Sequence, residues 1–144
     1  MIVLDSYAVI ALLRGEPAAP EVARLLAEVE PTVLTALGAA EVVDHLVRLA
    51  GATEDDAALD LAELGLGAAS PVEAELGLQA GLLRARHYRR ATRPVSLADC
   101  VAAETARRSA CRLATADAPL LDLCHDEGIG LIALVDTRGR TWSP

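Results

Sequence analysis

The chain has no lysine, and all 13 of its basic residues are arginine. It also has no phenylalanine, and aromatic residues make up only 2% of it, so a core must be packed from leucine, valine, isoleucine and alanine. Hydrophobic residues still reach 53% and charged ones 24%, which is enough to bury a core and too apolar for a disordered chain. No apolar run approaches the roughly 20 residues that span a bilayer. The N-terminus lacks the basic segment and cleavage site of a secretory signal, so a cytoplasmic protein without a membrane partner is expected. Cys100, Cys111 and Cys124 form no CxxC pair, and His45, His87 and His125 are scattered. Reduced thiols are therefore expected, and neither a disulfide framework nor a zinc site. There is no GxxxxGK[ST] loop, which excludes an ordinary P-loop nucleotide site.

The net charge of −8 at first opposes a nucleic-acid partner. Its distribution is uneven. Arg84, Arg86, Arg89, Arg90 and Arg93 crowd one short stretch, with Arg107, Arg108 and Arg112 a little further on. Such a stripe can contact phosphates, and a solvated helix end explains it about as well.

At 144 residues the chain suits one domain, and no repeat or interdomain linker interrupts it. Short apolar strands are predicted at 1–4, 31–34, 112–115 and 131–135, with a weaker one at 65–70. Helices are predicted at 7–13, 17–29, 36–50, 53–64, 71–88, 96–110 and 119–126, and residues 137–144 read as a polar tail. Val22, Leu25, Leu26 and Val29 have the spacing of an amphipathic helix. Thr53 before Glu54-Asp55-Asp56 is a strong helix start. Ser96 followed by Asp99 resembles a capping box. Strands alternating with helices argue for a three-layer α/β/α sandwich around a central parallel sheet of short strands. Ligands bind such sheets beyond the carboxyl ends of the strands.

Four acids stand beside apolar stretches: Asp5 after the first strand, Glu41 within Ala39-Ala-Glu-Val-Val43, Asp99 within Leu97-Ala-Asp-Cys100, and Asp117 after Thr115-Ala116. Each has a plain structural use. Asp5 and Asp117 can cap the helices that follow, Asp99 can belong to a helix start, and Glu41 can face solvent. Taken together they suit a divalent cation, because an isolated buried carboxylate is costly and Mg²⁺ or Mn²⁺ takes hard oxygen ligands. Ser6 and Thr115 can orient acids or water. Asp44, one turn after Glu41, reads first as a surface acid. Phosphotransferases of the haloacid-dehalogenase type and receiver domains also place an aspartate after a first strand. They ordinarily use a lysine as well, which this chain lacks, and Ser6-Tyr7 offers no second aspartate.

Four segments carry a resemblance: Ile2–Leu13, Thr35–Val42, Ser96–Glu104 and Leu113–Leu120. In their order and spacing the sequence is similar to PIN-domain ribonucleases, specifically the VapC toxins of type II toxin–antitoxin systems. The resemblance implies a PIN-like sandwich in which Asp5, Glu41, Asp99 and Asp117 hold Mg²⁺ or Mn²⁺ for cleavage of single-stranded RNA. It also implies a homodimer and a small cognate antitoxin whose C-terminal segment lies across helices near the site. Faces around Val9–Leu13 and Val22–Val29 would suit that segment, and core packing explains them about equally well. Tyr7 stands where many relatives carry Ser or Thr. Under this resemblance the arginine stripe at 84–93, with Tyr88 among it, becomes a candidate RNA contact. Two other readings stay open: a catalytically silent scaffold that binds protein or RNA, and a metal-dependent phosphoesterase with another substrate.

Overall fold

The structure, a computed structural model, describes residues 1–68 and 71–144. In chain order its elements are β1 (Ile2–Leu4), α1 (Ser6–Arg14), α2 (Ala19–Ala27), β2 (Thr32–Leu34), α3 (Ala36–Arg48), α4 (Glu54–Glu63) and β3 (Gly67–Ala68). They continue with α5 (Ala74–His87), α6 (Leu97–Arg108), β4 (Arg112–Thr115), α7 (Ala118–Asp126) and β5 (Leu131–Ala133). The described strands form one parallel sheet in the order β3-β2-β1-β4-β5, with Val3 opposite Val33 on one side and Leu113 on the other. This is the expected sandwich.

Alternation along the strands divides the core. Val3, Val33 and Leu113 face a layer made by α5, α6 and α7, where Leu83, Val101, Leu120 and Leu123 meet them. Ile2, Leu4, Leu34 and Ala114 face the opposite layer, packed by Val9, Val22, Leu25, Val42 and Leu46 from α1, α2 and α3. Ala57 brings α4 into that second layer. Both faces of the sheet are covered, as an all-parallel sheet requires, without any phenylalanine.

Several boundaries differ from expectation. The helix predicted to reach Val29 stops at Ala27, and Val29 is wholly exposed, so its place in the apolar spacing is accidental. The helix predicted from Pro71 begins at Ala74. The weak strand predicted at 65–70 narrows to Gly67–Ala68, and its last two positions lie outside the described residues. The last strand ends at Ala133 rather than Val135. Val9, Ala11, Val22 and Leu25 are buried, so the faces suggested for an antitoxin segment are largely core. No helix among the described residues is long and apolar enough to cross a membrane.

The tail is also anchored. Trp142 Nε1 donates to Asp122 Oδ1 at 2.8 Å, which fixes the chain end against α7.

Candidate metal centre

Strand order explains where a site can form. From β1 the sheet grows one way through β2 and β3, and the other way through β4 and β5. The crevice between the carboxyl ends of β1 and β4 is therefore the switch point at which open parallel sheets bind ligands. A cleft of about 470 Å³ lies there, and Asp5, Glu41, Asp99 and Asp117 all line it.

Local structure holds each acid. Asp5 caps α1: its Oδ1 accepts from the Ser6 backbone N–H at 2.8 Å, while its Oδ2 accepts from the Thr115 hydroxyl at 2.8 Å. Asp99 is half of a complete capping box, with its Oδ2 accepting from Ser96 N–H at 2.6 Å and Ser96 Oγ accepting from Asp99 N–H at 3.0 Å. Asp117 caps α7 through Leu120 N–H at 3.0 Å, and its own N–H donates to Thr115 Oγ1 at 3.0 Å. Glu41 has no helix end to serve; it accepts from the Ser6 hydroxyl at 2.9 Å. Capping and site formation are thus the same contacts, because a carboxylate has about four acceptor positions and a cap uses only one. Gly38, one turn before Glu41, helps set the depth of α3. A Cβ there would lie 2.7 Å from Leu34 Cδ1.

The structure gathers three of the four. Asp5, Glu41 and Asp99 bring carboxylate oxygens within 4.8 Å of one another. Asp117 lines the same cleft outside that triplet. Burial, and after it repulsion from Asp99, raises the pKa of Asp5 to about 7. Burial and Asp99 raise Asp117 in the same order, and burial raises Glu41, with Asp99 adding to it and the Ser6 hydrogen bond opposing. Asp99 thus acts electrostatically on each of the other three. Three oxygen donors that repel one another, one of them 5% exposed, suit a hard divalent cation far better than a soft one.

The Ser6 and Thr115 hydroxyls each donate to an acid of the cleft, Ser6 to Glu41 and Thr115 to Asp5. Tyr7 does not: its hydroxyl donates to the Val135 carbonyl at 3.1 Å, leaving Ser6 to bridge Asp5 and Glu41. Asp44 lines the cleft but is exposed and paired with Arg48 at 2.7 Å, in keeping with a surface acid. Asp136 was missed. It also lines the cleft, just past β5, and the same pattern of strand and then acid that drew notice to Asp5 could have found it.

The arginines separate. Arg84 is half-buried, donating to the Val95 carbonyl at 3.0 Å and lying 4.2 Å over the Tyr88 ring. Arg86, Arg89 and Arg93 line a second cavity of about 490 Å³ with His87 and Thr92. Arg86 pairs with Glu127, and Arg93 with Asp126 at 2.7 Å. Arg89 donates to the carbonyls of Arg86 and Tyr88, and Arg90 is exposed at the turn between. The segment after Arg93 leads straight to Pro94 and Ser96 on the wall of the acidic cleft.

The family model of the PIN domain matches residues 2–125, most of the chain. The chain belongs to the PIN-domain family. PIN domains are in general metal-dependent nucleases, and an acidic cluster is present in this chain. No curated protein matches this PIN domain. Among solved structures it is similar to the VapBC2 complex of Rickettsia felis bound to a promoter DNA fragment, with 17% identity over 93% of this chain and 99% of that one, and a TM-score of 0.67. VapBC-1 of nontypeable Haemophilus influenzae gives 19% identity, 92% and 98% coverage and a TM-score of 0.64. FitAcB of Neisseria gonorrhoeae gives 20% identity, 92% and 96% coverage and a TM-score of 0.61.

Proposed function

We propose that this PIN domain is a cytoplasmic endoribonuclease, the toxin of a toxin–antitoxin pair, and cleaves RNA with Mg²⁺ or Mn²⁺. The observation that carries the reading is the convergence of Asp5, Glu41 and Asp99 in a cleft at the switch point of the sheet. A bound ion supplies Lewis-acid polarisation of the phosphodiester and acidifies water beside it. The residues of the chain do the remainder. Asp5, Glu41 and Asp99 hold the ion, and Asp117 at the rim completes the acidic wall. Ser6 and Thr115 lock the carboxylates against rotation, so no reorganisation is needed when substrate arrives. The exposed Arg86, Arg89 and Arg90, with Arg93, contact phosphates along the strand while Arg84 braces Tyr88 beneath them.

A cognate antitoxin is the partner, by analogy with the complexes that resemble this chain. An apolar groove of about 380 Å³ between α3, α4 and the β2–β3 edge, walled by Leu34, Val43, Leu61 and Leu66, supports that assignment. Leu78 and Leu82, exposed one turn apart on α5, support a homodimer.

Purified protein should cleave single-stranded RNA with Mn²⁺ or Mg²⁺ and stop on addition of EDTA. Asp5→Ala and Asp99→Ala should each lower the rate by more than roughly a hundredfold. Retained cleavage in both would refute the site. Loss of carboxylate-dependent Mn²⁺ binding together with loss of cleavage in the unaltered protein would instead leave a scaffold that only binds.

A further inference from the structure

We infer that the small cavity beside the carboxylate cleft is a nucleobase subsite, with Trp142 as the stacking platform for a base flanking the scissile phosphate of single-stranded RNA. The inference rests on the ribonuclease reading and adds a specificity element to it. The cavity measures about 240 Å³ and is lined by Ala116, Ala118, Asp136, Arg140, Thr141 and Trp142. It shares Ala116 and Asp136 with the acidic cleft, so a strand seated on the carboxylates enters it with a neighbouring nucleotide. Its volume falls below the roughly 300–1,000 Å³ of clefts for drug-sized ligands, which suits one planar ring.

Single-stranded RNA is commonly held by aromatic side chains that stack on its unpaired bases. Apart from its three histidines, the chain offers three candidates, two tyrosines and one tryptophan. Tyr7 is tied by its hydroxyl to Val135 and packs against the inner core, and Tyr88 lies under Arg84. Trp142 remains, and it is held rigidly. Its Nε1 donates to Asp122, and the His125 ring meets it edge-on, with centroids 6.0 Å apart and planes at 61°. The turn leading to it is fixed as well, with Asp136 N–H bonded to the Arg140 carbonyl at 2.9 Å and Asp136 Oδ1 accepting from the N–H groups of Arg138 and Arg140.

The charge in this corner also favours a base over a phosphate. Arg140 is already paired with Asp136, so the corner has no excess positive charge to draw a phosphate, whereas a neutral ring meets two alanines and an indole. The Arg140–Asp136 pair is exposed, with 68% of the arginine side chain accessible, so the guanidinium can exchange its partner for a base edge at little cost. A role as a simple anchor for the tail accounts for the Nε1 hydrogen bond, but not for an open cavity beside the ring walled in part by Ala116, Ala118 and Thr141.

Trp142 is the sole tryptophan, so its fluorescence reports on this site alone. The test titrates the full-length protein with a short end-labelled single-stranded RNA, with Ca²⁺ replacing the catalytic ion. Anisotropy of the label and Trp142 emission are read together, and the RNA is checked intact on a gel. Emission should be quenched along the same saturation curve as the anisotropy. Trp142→Leu should weaken binding by about five- to a hundredfold, while Trp142→Phe, which stacks but cannot donate to Asp122, keeps most of the affinity. Unchanged emission on bound RNA, or a fall in Trp142→Phe as deep as in Trp142→Leu, overturns the subsite and leaves the ribonuclease reading standing. If the label shows no binding and cleavage is also absent, the reading beneath it fails. Should Trp142→Leu not fold by circular dichroism, the wild-type titration and Trp142→Phe decide.

Discussion

Asp5 concentrates the tension in this site. It is almost fully buried, beside two other acids, and its pKa rises to about 7 from the ordinary 3.8. An unfolded chain releases that proton near 3.8, whereas the metal-free fold holds it to about 7. Between these values the native state binds the extra proton, so the metal-free fold loses stability as the pH rises through that window and gains it as the pH falls. Asp5→Asn keeps the shape and removes the charge. We expect it to stabilise the metal-free protein at pH 8 by up to a few kcal/mol, to flatten the pH dependence between 4 and 7, and to abolish metal binding. Urea denaturation with and without EDTA across that range measures all three, and a destabilised variant with an unchanged pH profile would contradict the assignment. At this scale much could be read from the sequence. Asp5, Asp99 and Asp117 each carry a local signature, and each caps the helix that its sequence marks. Which three oxygens converge was not legible, because that depends on distances between strand ends that no local pattern encodes.

Helices and strands were recoverable where a strong local signal marks them. Thr53 and Ser96 cap α4 and α6 through Asp56 N–H and Asp99 N–H, as their sequences suggest. Ends without such a signal drifted: α2 has no side-chain cap, α5 has none either, and β5 leaves the sheet before its apolar run is over. The end of α6 shows another local cost. Ala110 has φ +48°, in the left-handed region, and Cys111 N–H bonds to the Ala106 carbonyl while Ala110 N–H bonds to that of Arg107. This is the Schellman geometry that ordinarily takes glycine. Ala110→Gly should therefore raise stability by a few tenths to about 1 kcal/mol, without altering activity. Chemical denaturation measures the gain. A loss would mean that the greater freedom of glycine in the unfolded chain outweighs the strain removed.

The whole molecule joins an acidic cleft to a cavity bearing several arginines, which an average charge of −8 conceals. An ion that binds the folded chain and not the unfolded one must stabilise the fold. Mn²⁺ at a hundred times its dissociation constant should add about 2.7 kcal/mol to the unfolding free energy. Thermal melts at increasing Mn²⁺ test this: the gain should be absent in Asp5→Asn, and an equal gain there would place the ion elsewhere. The order of strands was the least legible feature. Alternating strands and helices imply a parallel sheet, but β1 sits at its centre between β2 and β4 only because separate halves of the chain pack against it.

That central placement bears on how the protein is made. β1 is synthesised before both of its neighbours in the sheet, yet it gains the second only when Arg112 follows. Thr115, whose hydroxyl steadies Asp5, lies 110 positions later. Asp5 and Glu41 are made well before Asp99 and Asp117, so no fragment that stops short of β4 holds all four acids of the cleft. Under the proposed ribonuclease function, a nascent chain that has not yet reached β4 would lack Thr115 and Asp117 and could not cut the messenger that encodes it. The proposed antitoxin would then need to meet the folded domain, not the nascent chain.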